Sequence, residues 1–131
     1  MCIRDSHYSA LSRTIDSATL PSGGGVIFST FNELWVSDGT TLGTSLLIAT
    51  GHSCSDFVSM NNLIYMGCRH DTTSSTDSSS LWVTDGTTIG TNEIENFSLL
   101  GNVDTKIGGL TIVNSNIYFH LTGVDLSLIH I

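Results

Sequence analysis

The stretch Glu33-Leu34-Trp35-Val36-Ser37-Asp38-Gly39-Thr40-Thr41-Leu42-Gly43-Thr44 returns as Ser80-Leu81-Trp82-Val83-Thr84-Asp85-Gly86-Thr87-Thr88-Ile89-Gly90-Thr91. A long phrase repeated after about 47 residues is the signature of a repeat architecture. Leu-Trp-Val is a short apolar run of β-formers, which predicts a strand covered on both faces. Asp-Gly ends it, because Gly tolerates positive φ and Asp bonds its own backbone two residues on. Gly43 and Gly90 allow a further bend. A second strand follows in each copy, Ser45 to Ile48 in one and Asn92 to Ile94 in the other. One Asp per repeat beside a Gly favours a hairpin turn at Asp38 and Asp85. The competing readings are calcium ligands or catalytic acids.

A second register surrounds the first. Leu20 to Phe28, Phe57 to Tyr65 and Leu110 to Tyr118 align as strand, tight turn of Gly or Asn, and strand. Asn and Gly enter the left-handed region at little cost, so these are hairpins with a mechanism. Each unit then contains four strands. The gap from Phe28 to Trp35 is seven residues, and that from Tyr65 to Trp82 is seventeen. The excess falls in residues 69–80, a Ser/Thr/Asp-rich insert that reads as a mobile loop. A smaller insert lies around Leu99 to Ile107. Such loops carry either binding contacts or neutral variation.

The repeated phrase resembles the bacterial ELWxxDGT repeat family. The first copy matches through Glu33, Leu34, Trp35, Asp38, Gly39, Thr40, Gly43 and Thr44. The second matches through Leu81, Trp82, Asp85, Gly86, Thr87, Gly90 and Thr91, and departs in having Ser80 where the family has Glu. The resemblance implies a β-propeller-like fold in a secreted or surface protein. It implies no catalytic residues, since the family has none in common. The expected fold is all-β, about two to two and a half four-stranded antiparallel blades of about 47 residues each. The expected divisions are 7–19, the tail of a preceding blade with a strand within Leu11 to Ile15; 20–56, a blade; 57–109, a blade carrying the 69–80 insert; and 110–125, the first hairpin of another. Such a piece leaves strand edges and an apolar face uncovered, so 7–125 is expected to self-associate.

The two ends read differently. Met1-Cys2-Ile3-Arg4-Asp5-Ser6 back-translates as ATG TGT ATA AGA GAC AG. Its reverse complement, CTG TCT CTT ATA CAC AT, encodes Leu-Ser-Leu-Ile-His and opens an Ile codon. That is the closing sequence Leu126 to Ile131. One inverted DNA element resembling a sequencing-library transposon end explains both. Residues 1–6 and 126–131 are therefore expected to be adapter-derived and are set aside from the fold.

Lys and Arg number 4 against 12 Asp and Glu, a net charge of −8. With so few cations there is no basic patch for a phosphate backbone, so nucleic acid is not an expected partner. No apolar run has membrane-spanning length. Abundant Ser, Thr, Gly and Asn fit an extracellular β protein.

Setting Cys2 aside with the adapter, the cysteines are Cys54 and Cys68, framed as His52-Ser53-Cys54 and Cys68-Arg69-His70 about Asn61. If Cys54 lies opposite Cys68, all four His and Cys side chains share one face; a register offset by one sets the thiols diagonal. A cross-strand disulfide, two free thiols and a Cys2His2 zinc site all fit the pattern. Trp35 and Trp82 are read as repeated core residues rather than sugar-stacking platforms. His7 and His120 have no nucleophile beside them in a motif, and no Gly-x-Ser-x-Gly elbow occurs. Gly23-Gly24-Gly25 occupies a hairpin turn rather than a phosphate cradle. The expectation is a non-enzymatic, cofactor-free module that binds an extracellular protein or glycan, or that serves structurally beside the remaining blades of its parent chain. The alternative is a propeller domain of a larger extracellular enzyme.

Overall fold

The architecture comes from a computed structural model, which describes residues 16–70, 78–97, 105–122 and 128–130, the last as backbone only. Eleven strands and no helix occur among the described residues. The first sheet orders β1 (Ser17–Thr19), β2 (Val26–Ser29), β3 (Glu33–Ser37) and β4 (Thr44–Ala49). The second orders β5 (Ser53–Met60), β6 (Leu63–His70), β7 (Ser78–Thr84) and β8 (Asn92–Asn96). The third holds β9 (Lys106–Val113), β10 (Asn116–Thr122) and β11 (Leu128–His130), with β10 central. All pairings are antiparallel, and every sheet is open.

The turns follow from the residues. Asn61-Asn62 and Asn114-Ser115 hold positive φ at both central positions, the conformation of a two-residue hairpin that matches strand twist. Such a turn puts Met60 opposite Leu63. Continued straight, that register would set Cys54 against Arg69. A bulge between Ser55 and Val58, with Asp56 at φ 54, inserts one residue and brings Cys54 opposite Cys68. A bulge of the same kind sits in β9, where Gly109 has φ 66.

Strand alternation then builds the layers. Leu34 and Ile27 of the first sheet pack with Cys54, Ile64, Met66, Cys68 and Trp82 of the second. From the other face of the second sheet, Leu81, Tyr65, Val58 and Met60 pack with Leu110, Ile117, Phe119 and Leu121 of the third. The second sheet is thus the middle of three layers. Its first strand, β5, meets β1 and β2 on one side and β9 on the other. No helix of the described residues is long and apolar enough to cross a membrane.

Several boundaries differ from the sequence reading. First strands begin at Ser17, Ser53 and Lys106 rather than near 20, 57 and 110, because the bulges let β5 and β9 continue upstream of the point where alternation breaks. The hairpin alignment also shifts by one. Phe28 lies opposite Trp35 and Met66 opposite Trp82, so Phe28 corresponds to Met66, not Tyr65. Both flanks of the loop expected over 69–80 are strand instead. Arg69 and His70 end β6, paired with Ser79 and Ser78 at the start of β7. Ser79 and Ser80 are buried, where they make the hydrogen bonds described below. Residues 71–77, the core of the 99–107 insert, the strand expected within 11–15 and the opening 1–6 lie outside the described residues. Residues 128–130, set aside above, pair with β10. An open edge holds any extended segment through its backbone groups, native or adapter-derived.

Leu34 has 0% of its surface exposed, whereas Ile89 has 93%. Leu34→Ala is expected to cost about 2–5 kcal/mol and Ile89→Ala less than about 0.5 kcal/mol in urea unfolding. Equal losses would contradict the layering.

Candidate functional site

The repeated turn is built twice from the same bonds. Asp38 Oδ1 accepts the Thr40 backbone N–H at 2.8 Å and its hydroxyl at 2.7 Å. Asp85 Oδ1 accepts the same pair from Thr87 at 2.8 and 2.7 Å. The Thr40 and Thr87 hydroxyls in turn accept the N–H of Gly43 at 2.9 Å and of Gly90 at 3.0 Å. Thr44 and Thr91 donate to the carbonyls of Thr40 and Thr87, both at 2.6 Å. Ser37 and Thr44 share a hydroxyl–hydroxyl bond of 2.6 Å, and Thr84 and Thr91 one of 2.7 Å.

The two glycines of each turn have distinct reasons. Gly39 and Gly86 both sit at φ 93, where an L side chain is strained. Gly43 and Gly90 sit where a Cβ would overlap the carboxylate of Asp38 or Asp85. The Asp carboxylate fills the space that the glycine leaves. The side-chain bond from Thr40, reinforced by its N–H, holds the Asp38 carboxyl below the ordinary carboxylate range, and Thr87 does the same for Asp85. Chemically these carboxylates act as turn acceptors for their own backbone.

The residue at the head of each phrase also has a repeated task. Trp35 donates its indole N–H to Glu33 Oε2 at 3.0 Å. Trp82 donates to Ser80 Oγ at 2.9 Å. Ser80 and Glu33 differ in sequence but both accept from the indole two residues on. Trp82 is 8% exposed and lies in the core between the first and second sheets, so its buried N–H needs that acceptor.

The His/Cys constellation lies on the face of the second sheet that meets the first. Cys54 and Cys68 are joined by a disulfide and are buried. Both sulfurs are therefore unavailable as thiolate ligands. Among the described residues, no group of three or more His, Cys, Asp or Glu is placed to hold a metal ion. His52 and His70 are brought together, with ring centroids 4.8 Å apart, and the His52 ring lies 6.2 Å from that of Trp82. His52 Nδ1 is 2.5 Å from the Thr50 carbonyl oxygen. His120 instead lies over Gly108 and Gly109 on the third sheet.

Three bonds between sheets had no counterpart in the sequence reading. Ser29 Oγ accepts the Cys54 N–H at 3.1 Å, and Ser79 Oγ accepts the Ile107 N–H at 3.3 Å. Asp56 Oδ2 accepts the Gly109 N–H at 2.8 Å. The last was marked in the sequence by residues that enter the left-handed region easily, Asp56 before Phe57 and Gly109 before Leu110. Thr88 adds a tie from the second turn, donating to the Leu47 carbonyl in the first sheet at 3.1 Å.

Gly90→Ala and Asp85→Ala are each expected to lower the urea midpoint. In the double variant the added methyl no longer meets a carboxylate, so the combined loss falls short of the sum. Because the folded carboxyls of Asp38 and Asp85 titrate below the unfolded value of about 3.9, their contribution is present above that value and lost as pH falls through the folded one. The wild-type midpoint should therefore fall more steeply with acid than that of Asp38→Ala/Asp85→Ala. Additive losses and parallel acid curves would contradict the turn assignment. Comparisons of the chain with protein-family models, curated proteins and solved structures find no match.

Proposed function

We propose that the chain is part of a β-propeller of ELWxxDGT type, in which the four-stranded sheets are blades, and that it serves as a non-enzymatic binding or structural module of a secreted or cell-surface bacterial protein. The observation that carries this reading is the outer face of the first sheet, on which no other sheet packs among the described residues. The second sheet buries Ile64, Met66 and Trp82 beneath its neighbour. At the corresponding positions the first sheet presents Val26, Phe28 and Trp35, with Val26 exposed and the two aromatics half-buried. A further sheet of the same kind fits that face.

Two features support the reading. The first strands β1, β5 and β9 are successive neighbours, as the inner strands around a propeller axis are. The Cys54–Cys68 bridge suits an oxidising, extracellular compartment. It closes a hairpin of sequence separation 14, a loop for which chain entropy gives up to about 3 kcal/mol. The third sheet has Ile107 opposite Leu121 at the corresponding rung, so an apolar pair does the same packing without the bond. The binding partner on this reading is an extracellular protein or glycan.

The test is to label intact cells of the source bacterium with antibody to the chain, then denature and alkylate the recovered protein without reductant. Surface labelling with Cys54 and Cys68 unalkylated is expected. A cytosolic pool with both thiols reactive would overturn the localisation, and a parent structure whose sheets stack without closing would overturn the propeller.

A further inference from the structure

We propose that His52 and His70 form a cross-strand chelate for a divalent transition-metal ion of the copper, nickel or zinc class, beside the intact Cys54–Cys68 bridge. The ladder sets the geometry. Ser53 pairs with Arg69 and Cys54 with Cys68, so residues 52 and 70 flank the next rung. Alternation puts both imidazoles on the face that carries the disulfide and Trp82. Their centroids lie 4.8 Å apart with the rings tilted by 49°. Two imidazoles sharing one ion at about 2.0–2.1 Å from each nitrogen, in adjacent coordination positions, hold their centroids about 4.5–5 Å apart.

The hydrogen bonding supplies a second, independent observation. A carbonyl oxygen only accepts, so the contact of His52 Nδ1 with Thr50 O places the proton on Nδ1. The lone pair is then on Nε2, free for an ion. Metal-binding imidazoles are held in this manner, with the second nitrogen donating to a backbone carbonyl that fixes the ring. Thr50 is itself anchored, since its hydroxyl donates to the His52 carbonyl at 2.7 Å and accepts the His52 N–H at 3.0 Å. The donor therefore sits on a closed backbone loop rather than a free side chain.

Donor chemistry selects the ion. Nitrogen pairs suit copper, nickel and zinc, whereas calcium and magnesium want oxygen. The disulfide removes the thiolates that would complete a tetrahedral sulfur–nitrogen site. With no larger cluster among the described residues, the other coordination positions go to water or to a donor group of a bound partner. The bridge fixes the rung next to the pair, so little ordering remains to be done on binding.

Trp82 supplies the reporter, because its ring lies 6.2 Å from that of His52. The experiment uses the full chain carrying Trp35→Phe and Cys2→Ser, at a pH above the imidazole range. Saturable quenching of Trp82 by Cu2+ is expected, with no effect of Ca2+. His52→Ala and His70→Ala should each weaken the apparent affinity at least about tenfold, a loss of roughly 1.4 kcal/mol, while His120→Ala leaves it unchanged. Absence of saturation, or quenching indifferent to both substitutions, would overturn the site. If an alanine variant loses its cooperative transition, acylation of the parent protein by diethyl pyrocarbonate decides instead. Protection of His52 and His70 by Zn2+ supports the chelate, and equal modification with and without Zn2+ refutes it.

Discussion

The second sheet is apolar on both faces, and that constraint shapes everything around it. Leu81 and Trp82 are consecutive on one strand and point to opposite sides, and both are buried. Burying one such side chain stabilises by about 1.5–3 kcal/mol. A lone four-stranded sheet would leave both faces in water, and one covering layer would still leave the other face exposed. The chain therefore needs a layer on each side, and the first and third sheets provide them. Serine hydroxyls from one layer cap backbone N–H groups of the following one.

The turns are built to a different principle. The apolar residue at each tip stays in water, Leu42 at 99% exposed and Ile89 at 93%. The order of the turns comes from a closed set of short hydrogen bonds in which the hydroxyls of Ser37, Thr40 and Thr44, and of Thr84, Thr87 and Thr91, both donate and accept. This explains why the phrase is so long and so nearly invariant between copies. Asp, the first Gly, Thr, the second Gly and the last Thr each make or permit one contact that the others require. The second turn is tied to the first sheet by a hydrogen bond from Thr88, which reaches the carbonyl of Leu47. Leu47 is the residue that a bulge inserts into β4 opposite the step from Leu34 to Trp35, and Ile94 holds the same place in β8.

Much of this was legible from the residues alone. The strand–turn–strand unit at each Trp, the Asn hairpins and the all-β class follow from local chemistry. Bulges were not legible, because alternation simply breaks at Asp56 and Gly109 and the break resembles a strand end. That hid the starts of β5 and β9 and shifted one alignment by a residue. Ser78 to Ser80 misled for a related reason. Composition marks them as loop, yet in a strand each small hydroxyl can meet a specific partner, and Ser80 and Ser79 do. For the cysteines, the Asn61-Asn62 turn alone favours the offset register, and one residue in the left-handed region at position 56 restores the direct pairing. For the histidines, the sequence supplied the face but not the 4.8 Å approach of the rings.

The stacking of equivalent sheets is tested most directly by acrylamide quenching of each indole alone. Trp35→Phe leaves Trp82 between two layers, and Trp82→Phe leaves the half-buried Trp35 on the outer face of the first sheet. Trp82 is expected to show a clearly smaller quenching constant and a bluer emission than Trp35 at protein concentrations low enough to keep the chain monomeric. Equal quenching of the two indoles would show that the second sheet is not covered by the first, and the layered arrangement would fail with it.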